Sequence, residues 1–297
     1  MKVTITGATG LIGAALRQHL AAQGHELRCL SRKAPPQPGW YAWDPGSGAP
    51  PQESLEGSDA VIHLAGEPVA QRWSAEVKRR IRSSREQGTR ALVAGLAALP
   101  RKPGVLVSAS AIGYYGDRGD ELLNEKSSPG SDFLSATCVE WERAAHLADV
   151  LGIRVVCIRI GIVLAARGGA LGKMLPPFRL GLGGPIAGGA AWMSWIHVED
   201  LVRLFAWAVE NAGVRGPANA VSPGAVRNAA FTRSLGAALR RPAIFPVPAV
   251  ALKAMYGEMA SVVLASQHVV PEAATESGFQ FRWPDLDPAL GNLMGAT

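Results

Sequence analysis

The chain has 297 residues, 48% of them hydrophobic and 18% charged, which gives enough apolar surface for a sizeable core and excludes a disordered or low-complexity polypeptide. The 30 Lys and Arg against 24 Asp and Glu leave a net charge of +6, thinly spread apart from the dense stretch Lys78–Arg85, so cofactor phosphate is as good a partner as a nucleic-acid backbone. No run approaches the ~18 apolar residues of a membrane span, and a cytoplasmic protein with neither membrane nor nucleic-acid partners is expected.

Residues 2–6, Lys-Val-Thr-Ile-Thr, form a β-branched strand. Gly7-Ala-Thr-Gly10-Leu-Ile-Gly13 follows, then a helical pattern over Ala14–Gln23 that Gly24 stops. Glu26–Leu30 reads as a second strand and Asp59–Leu64 as an apolar one. Val77–Leu99 is a long helix with Val77, Ile81, Gly88, Leu92 and Leu96 on one face, and Lys78–Arg85 belongs to its polar side. A strand at Val105–Ser108, a helix at Phe133–Leu151 and a strand at Arg154–Leu164 complete the alternation. Strands alternating with helices of this length predict an α/β fold with a doubly wound parallel sheet. After Ala165 the pattern breaks. Gly168–Gly189 is rich in Gly and Pro, and a β/α piece resumes at Trp195–Val209 with Asp200 as its N-cap. A Pro-punctuated stretch runs over Arg241–Pro248. We expect a nucleotide-binding domain over residues 1–165, with a returning piece at 195–215, and a smaller mixed substrate-side region over 166–297. Cys29, Cys138 and Cys157 show no metal spacing; Cys29 and Cys157 fall in predicted strands as small core residues, which suits a reducing compartment.

Gly7-x-x-Gly10-x-x-Gly13 directly follows the first strand and opens the first helix. Glycine removes the Cβ that would block close backbone approach, and the helix N-terminus offers N–H groups and positive dipole to a pyrophosphate. Gly7, Thr9, Gly10, Leu11, Ile12 and Gly13 therefore form the expected phosphate-binding set. At the end of the second strand, Ser31-Arg32-Lys33 stands where an NAD-binding chain presents a carboxylate to the ribose. A hydroxyl and two cations suit a 2′-phosphate instead, which favours NADP(H); the competing reading is a solvated basic turn. Ala65-Gly66 lets a flat ring approach the backbone after the third strand.

These motifs occur in order with Asp59-Ala-Val-Ile-His-Leu-Ala-Gly66, Val107-Ser-Ala-Ser110, Arg159-x-Gly161 and Trp195-Ile-His-Val-Glu-Asp200. In this arrangement the chain resembles an extended short-chain dehydrogenase/reductase. Ala65-Gly-Glu-Pro68, Ser84-Arg85, Trp141-Glu142, Gly168-Gly-Ala-Leu, Phe178-Arg-Leu-Gly-Leu-Gly-Gly184, Gly257-Glu-Met-Ala and Gly278-Phe-x-Phe are similar to the atypical "epimerase family protein" subgroup with a C-terminal extension, here at about residues 245–293. The resemblance implies a seven-stranded Rossmann sheet with NADP(H) across its carboxyl edge. It carries over Ser31, Arg32, His63, Leu64, Arg85 and Arg159 as cofactor contacts, and sets a small-molecule substrate cleft between the sheet edge and the residues after 165. For His63 the alternative is a satisfied core histidine, and for Arg85 a solvated cation.

Short-chain dehydrogenases generally use a Tyr-x-x-x-Lys pair, in which Lys eases proton exchange at the phenol. Four residues after Tyr41, Tyr114, Tyr115 and Tyr256 stand Pro45, Arg118, Gly119 and Ala260, so the pair is missing, and the helix at Phe133–Leu151 holds neither Tyr nor Lys. Ser110 matches the family serine that bonds substrate oxygen. Tyr114, followed by Tyr115 and with Arg118 nearby, is a candidate proton donor or a packed loop tyrosine. Lys173 and Arg179 are candidate contacts to an anionic substrate or solvated charges, and His197 a turn-forming residue. No Gly-x-Ser-x-Gly elbow and no His ligand spacing point to hydrolase or metal chemistry. The sequence thus leaves two readings. One is an NADP(H)-dependent oxidoreductase or epimerase acting on a small, nucleotide-linked or free, carbonyl or alcohol. The other is a non-catalytic NADP(H) sensor. Oligomeric state is open.

Overall fold

Continuous apolar strands are stable only when buried on both faces, and the computed structural model, described over residues 1–295, buries them so. β1 (Lys2–Thr6) leads into α1 (Leu11–Ala22), β2 (Glu26–Ser31) and β3 (Trp40–Ala42). α2 (Gln52–Leu55) precedes β4 (Ala60–His63), α3 (Ala75–Ala98) and β5 (Val105–Ala111). The short β6 (Leu122–Leu123), α4 (Phe133–His146), β7 (Arg154–Ile160), β8 (Ile162–Leu164) and α5 (Gly169–Arg179) follow. β9 (Trp192–Met193), β10 (Trp195–His197), α6 (Val198–Glu210) and β11 (Gly216–Ala220) come next. The C-terminal part holds β12 (Val226–Arg227), α7 (Asn228–Leu239), α8 (Ala249–Tyr256), α9 (Ala260–Leu264), β13 (His268–Val269), α10 (Glu272–Glu276) and α11 (Leu286–Met294).

Seven strands pair in the order β11-β7-β5-β4-β1-β2-β3, every pair parallel. The order reverses between β1 and β4, which opens a crevice at their carboxyl ends where α/β sheets receive ligands. Leu16, Leu20, Leu201 and Phe205 of α1 and α6 cover one face; Leu92 and Leu96 of α3, Ala145 of α4 and Ala148 just beyond it cover the other. Each fully buried Leu or Phe contributes about 1.5–3 kcal/mol. A third cluster, with Leu171, Trp195, Phe231 and Leu290, gathers the elements beyond β8.

Four expectations are corrected. α1 starts at Leu11, with extended Gly10 as N-cap, so Leu11, Ile12 and Gly13 form its first turn. The single strand expected over Arg154–Leu164 breaks at Gly161: β7 stays in the sheet while β8 leaves it to pair with β10. A Cβ on Gly161 would lie 2.5 Å from the Ser194 carbonyl oxygen, so only glycine fits where the chain changes partner. The helix expected over Phe133–Leu151 ends at His146, and a 3-10 turn spans Asp149–Leu151. Finally, His197 and not Asp200 caps α6, its Nδ1 accepting the Glu199 N–H at 3.1 Å. Asp200 instead accepts the backbone N–H groups of Arg282 and Trp283, both at 2.8 Å, and so holds the C-terminal chain against the sheet. All three cysteines are buried and free.

Candidate functional site

Gly7 adopts φ +67°, and a Cβ there would lie 2.8 Å from the Leu64 carbonyl carbon; a side chain is excluded both by conformation and by the strand alongside. A Cβ on Gly13 would lie 2.4 Å from the Gly7 oxygen, whereas one on Gly10 would meet only that oxygen, at 3.3 Å. Gly7 and Gly13 thus let the turn close, and Gly10, exposed beside exposed Thr9, leaves open the volume in front of α1. No side chain caps α1, and its first turn holds no acidic residue, so its N–H groups and dipole are free for an anion. Exposed Leu11 and half-buried Ile12 flank the opening. The start of α5 crosses above: a Cβ on Gly169 would lie 2.9 Å from Leu11.

One strand away, Ser31 is buried at the end of β2 and its Oγ has no hydrogen-bond partner. Arg32 and Lys33 beside it are exposed. A buried hydroxyl without a partner is costly unless something outside the chain supplies one. On this observation the residues present fit an NADP-type cofactor: loop and helix end for the pyrophosphate, hydroxyl and cations for a 2′-phosphate.

His63 is completely buried. Thr6 Oγ1 accepts the Leu64 and Ala65 N–H groups at 3.1 and 3.2 Å, so its proton goes to His63 Nδ1 at 2.7 Å. Nε2–H then donates to Thr89 Oγ1 at 3.0 Å. Burial and the Arg85 charge push the imidazole down to about 3, and it stays neutral. This geometry favours the core reading: His63 fixes the Leu64–Ala65–Gly66 backbone from beneath, with Gly66 exposed above. Arg85 is no solvated cation. Its Nη1 donates to the Glu67 and Ile81 carbonyls at 3.0 and 3.1 Å, its guanidinium lies 4.9 Å from the Trp141 ring, and a Cβ on Gly66 would touch it at 3.4 Å. Burial lowers its pKa from the usual guanidinium value.

The register places Ser110 opposite Arg159 and Arg159 opposite Asn219 on β5, β7 and β11. Ser110, 2% exposed, donates Oγ–H to Glu142 at 2.7 Å. Arg159 donates Nε and Nη2 to the same carboxylate, both at 2.8 Å, and Nη1 to the Tyr115 hydroxyl at 3.0 Å; Tyr115 donates onward to Asn219 Oδ1 at 2.7 Å. Burial opposes the Arg159 charge, yet Glu142 and Tyr115 hold its pKa above the usual value, while burial pushes Tyr115 up to about 12. The Arg159 guanidinium also stacks 3.4 Å from the Tyr114 ring centre. The half-buried Tyr114 has no hydroxyl partner among the described residues. Arg159 thus braces the tyrosine loop with a guanidinium already fully engaged. Arg118 is tied to Glu121 at 2.6 and 2.7 Å. Lys173 donates to Ala70 O at 3.0 Å, while Arg179 is exposed.

Sequence reasoning assigned no role to Glu142, Asn219 or Gln267. Gln267 Nε2 donates to the carbonyls of Ile112 and Gly116 at 2.9 and 3.0 Å, the two ends of the turn that carries Tyr114. Glu142 stood in a recognised Trp-Glu pair, but only the strand register shows what it bonds.

The NAD dependent epimerase/dehydratase family profile matches residues 3–221, and a domain of unknown function, DUF1731, matches residues 247–293. The chain is 42% identical over 302 residues to the epimerase family protein SDR39U1 homolog, chloroplastic, of Arabidopsis thaliana, covering 99% of this chain and 87% of the relative. It is 38% identical to human epimerase family protein SDR39U1, covering 99% and 100%. The crystal structure of human SDR39U1 (isoform2) with NADPH superposes with a TM-score of 0.91 at 37% identity and full coverage of both chains. The nucleoside-diphosphate sugar epimerase from Corynebacterium glutamicum superposes with a TM-score of 0.82 at 38% identity, covering 99% of this chain and 58% of that one.

Proposed function

The chain belongs to the NAD dependent epimerase/dehydratase family, and from that premise we propose that it binds NADP(H) across the carboxyl edge of its sheet and uses it to transfer hydride to or from a small carbonyl or alcohol. The observation that carries this reading is the paired geometry at β1 and β2: an uncapped helix N-terminus behind Gly10, next to a buried, unpartnered Ser31 hydroxyl and two exposed cations. Gly7, Thr9, Gly10, Leu11, Ile12 and Gly13 hold the pyrophosphate, Ser31 and Arg32 the 2′-phosphate, and Leu64, Ala65 and Gly66 form the wall against the adenosine. His63 and Arg85 support the Leu64–Gly66 wall from behind, while Arg159 braces the tyrosine loop beside it. The human relative crystallised with NADPH supports the same cofactor.

Bound NADP(H) supplies the hydride chemistry; the chain must orient substrate, exclude water and move a proton. Ser110 keeps the substrate side of β5 polar while its own proton is held by Glu142. Tyr114 supplies the proton, its ring fixed face-on by Arg159. Replacing Arg32 by Glu should weaken NADPH binding at least roughly tenfold more than NADH binding, since guanidinium–phosphate pairing is lost only for the former; equal losses by titration calorimetry would remove the 2′-phosphate assignment. Incubation with NADPH deuterated at C4 and a metabolite extract then tests turnover, with isomer formation read from the same samples. A labelled product whose formation persists unchanged in Tyr114→Phe would discard Tyr114 as donor. A second reading, a non-catalytic NADP(H) sensor, is favoured by α4, whose sequence holds neither Tyr nor Lys. It predicts tight NADPH binding with neither label transfer nor isomer formation.

A further inference from the structure

Leu180, Leu182, Ile244, Phe245 and Val250 stand between 50% and 74% exposed, too many for scattered chance exposure on one face. The segments that bear four of them run side by side. Phe245 N–H donates to Gly183 O at 3.1 Å, Val247 N–H to Pro185 O at 2.9 Å, and Arg241 Nε to Arg179 O at 3.1 Å. Pro242, Pro246 and Pro248 stiffen the second segment, which leads directly into α8 and Val250. The result is a rigid ridge of apolar tips.

Around the ridge stand Arg179, Arg240, Arg241 and Lys253, all exposed, and none forms an ion pair with a carboxylate among the described residues. The sequence holds no Asp or Glu from Val150 to Val198 or from Asn211 to Gly257. A second copy docking through this face would set cations against cations. A protein partner would need a surface complementary in shape to the ridge. A fluid anionic surface needs no matching shape and satisfies both sets of groups: apolar tips enter the headgroup–acyl boundary while cations meet lipid phosphates. We infer that this ridge docks the protein on an anionic lipid bilayer. The proposal reverses the sequence-based expectation of no membrane partner, which rested on the lack of a spanning run; a peripheral surface assembled from two distant segments leaves no such run.

Flotation of the full chain with extruded vesicles tests it, using phosphatidylcholine alone or with about a third phosphatidylglycerol. Partition should be at least roughly tenfold stronger on the anionic vesicles and fall steeply with added salt. The double substitution Arg240→Glu, Arg241→Glu should lower it by more than about tenfold, and so should Ile244→Asp with Phe245→Asp, which separates insertion from adsorption. Circular dichroism melts identify any variant that fails to fold; Lys253→Glu and Val250→Asp on the exposed side of α8 then replace it. Equal partition onto both vesicles overturns the proposal. So does self-association abolished by Ile244→Asp, which makes a second copy the occupant. Binding to polyglutamate without binding to vesicles overturns it in favour of an acidic protein segment.

Discussion

Glu142 is buried, and its carboxylate accepts from three donors: Ser110 Oγ and two nitrogens of Arg159. Removing the carboxylate would strand a guanidinium 3% exposed. Breaking one partner of such a pair typically costs about 3–5 kcal/mol. Glu142→Ala should therefore lower urea-unfolding stability by that amount, and Glu142→Gln by less, because the amide oxygen still accepts one bond. A loss under about 1 kcal/mol for Glu142→Ala would place the pair in solvent-like surroundings instead. The glycines of the phosphate loop were legible in the sequence because their spacing follows from steric exclusion at Gly7 and Gly13. The partner of Ser110 was not, since it depends on where α4 lies over β5 and on a register that no local pattern states. His63 was legible as an alternative only; the two threonines that take its ring nitrogens lie 57 positions before it and 26 after it.

Elements were easier to find than their ends. The apolar runs of β1, β4 and β5 announce themselves, but β7 and β8 read as one strand because Gly161 costs nothing in hydrophobic pattern and everything in direction. Asp200 illustrates the same gap: acceptor residues near a helix start suggest capping, yet its carboxylate is committed to Arg282 and Trp283, more than 80 residues on. The tyrosine turn after β5 depends likewise on a distant partner. Gln267 bonds both its ends, and Ser266 Oγ bonds Gly119 O at 2.6 Å, so the turn is clipped from outside rather than by its own sequence. Gln267→Leu should speed amide hydrogen exchange over residues 112–118 by roughly tenfold or more, the loss of about two net hydrogen bonds. Exchange in β1 and α1 should be unchanged. Uniform acceleration across the chain would mean that Gln267 supports global stability and not the turn.

At the scale of the whole molecule, the segment matched to the domain of unknown function is tied into both ends of the site. Arg72, beyond the Ala65–Gly66 wall, donates to the Ala254 and Met255 carbonyls at the end of α8 at 3.1 and 3.2 Å, and Lys78 of α3 pairs with Glu258 at 2.8 Å. On the other side Asn219 of β11 donates to Val270 O at 2.9 Å. α6 and β11 meanwhile return to the first sheet from within the second half of the chain. The expected division at residue 165 therefore describes sequence pattern, while the contacts predict one cooperative unit. Urea unfolding followed by tryptophan fluorescence and by circular dichroism should give coincident transitions. Saturating NADPH, at about a hundred times its dissociation constant, should shift both by the same ~2.7 kcal/mol. If the extension were an independent module, an early transition would appear that NADPH leaves in place, because the cofactor stabilises only what unfolds together with its site.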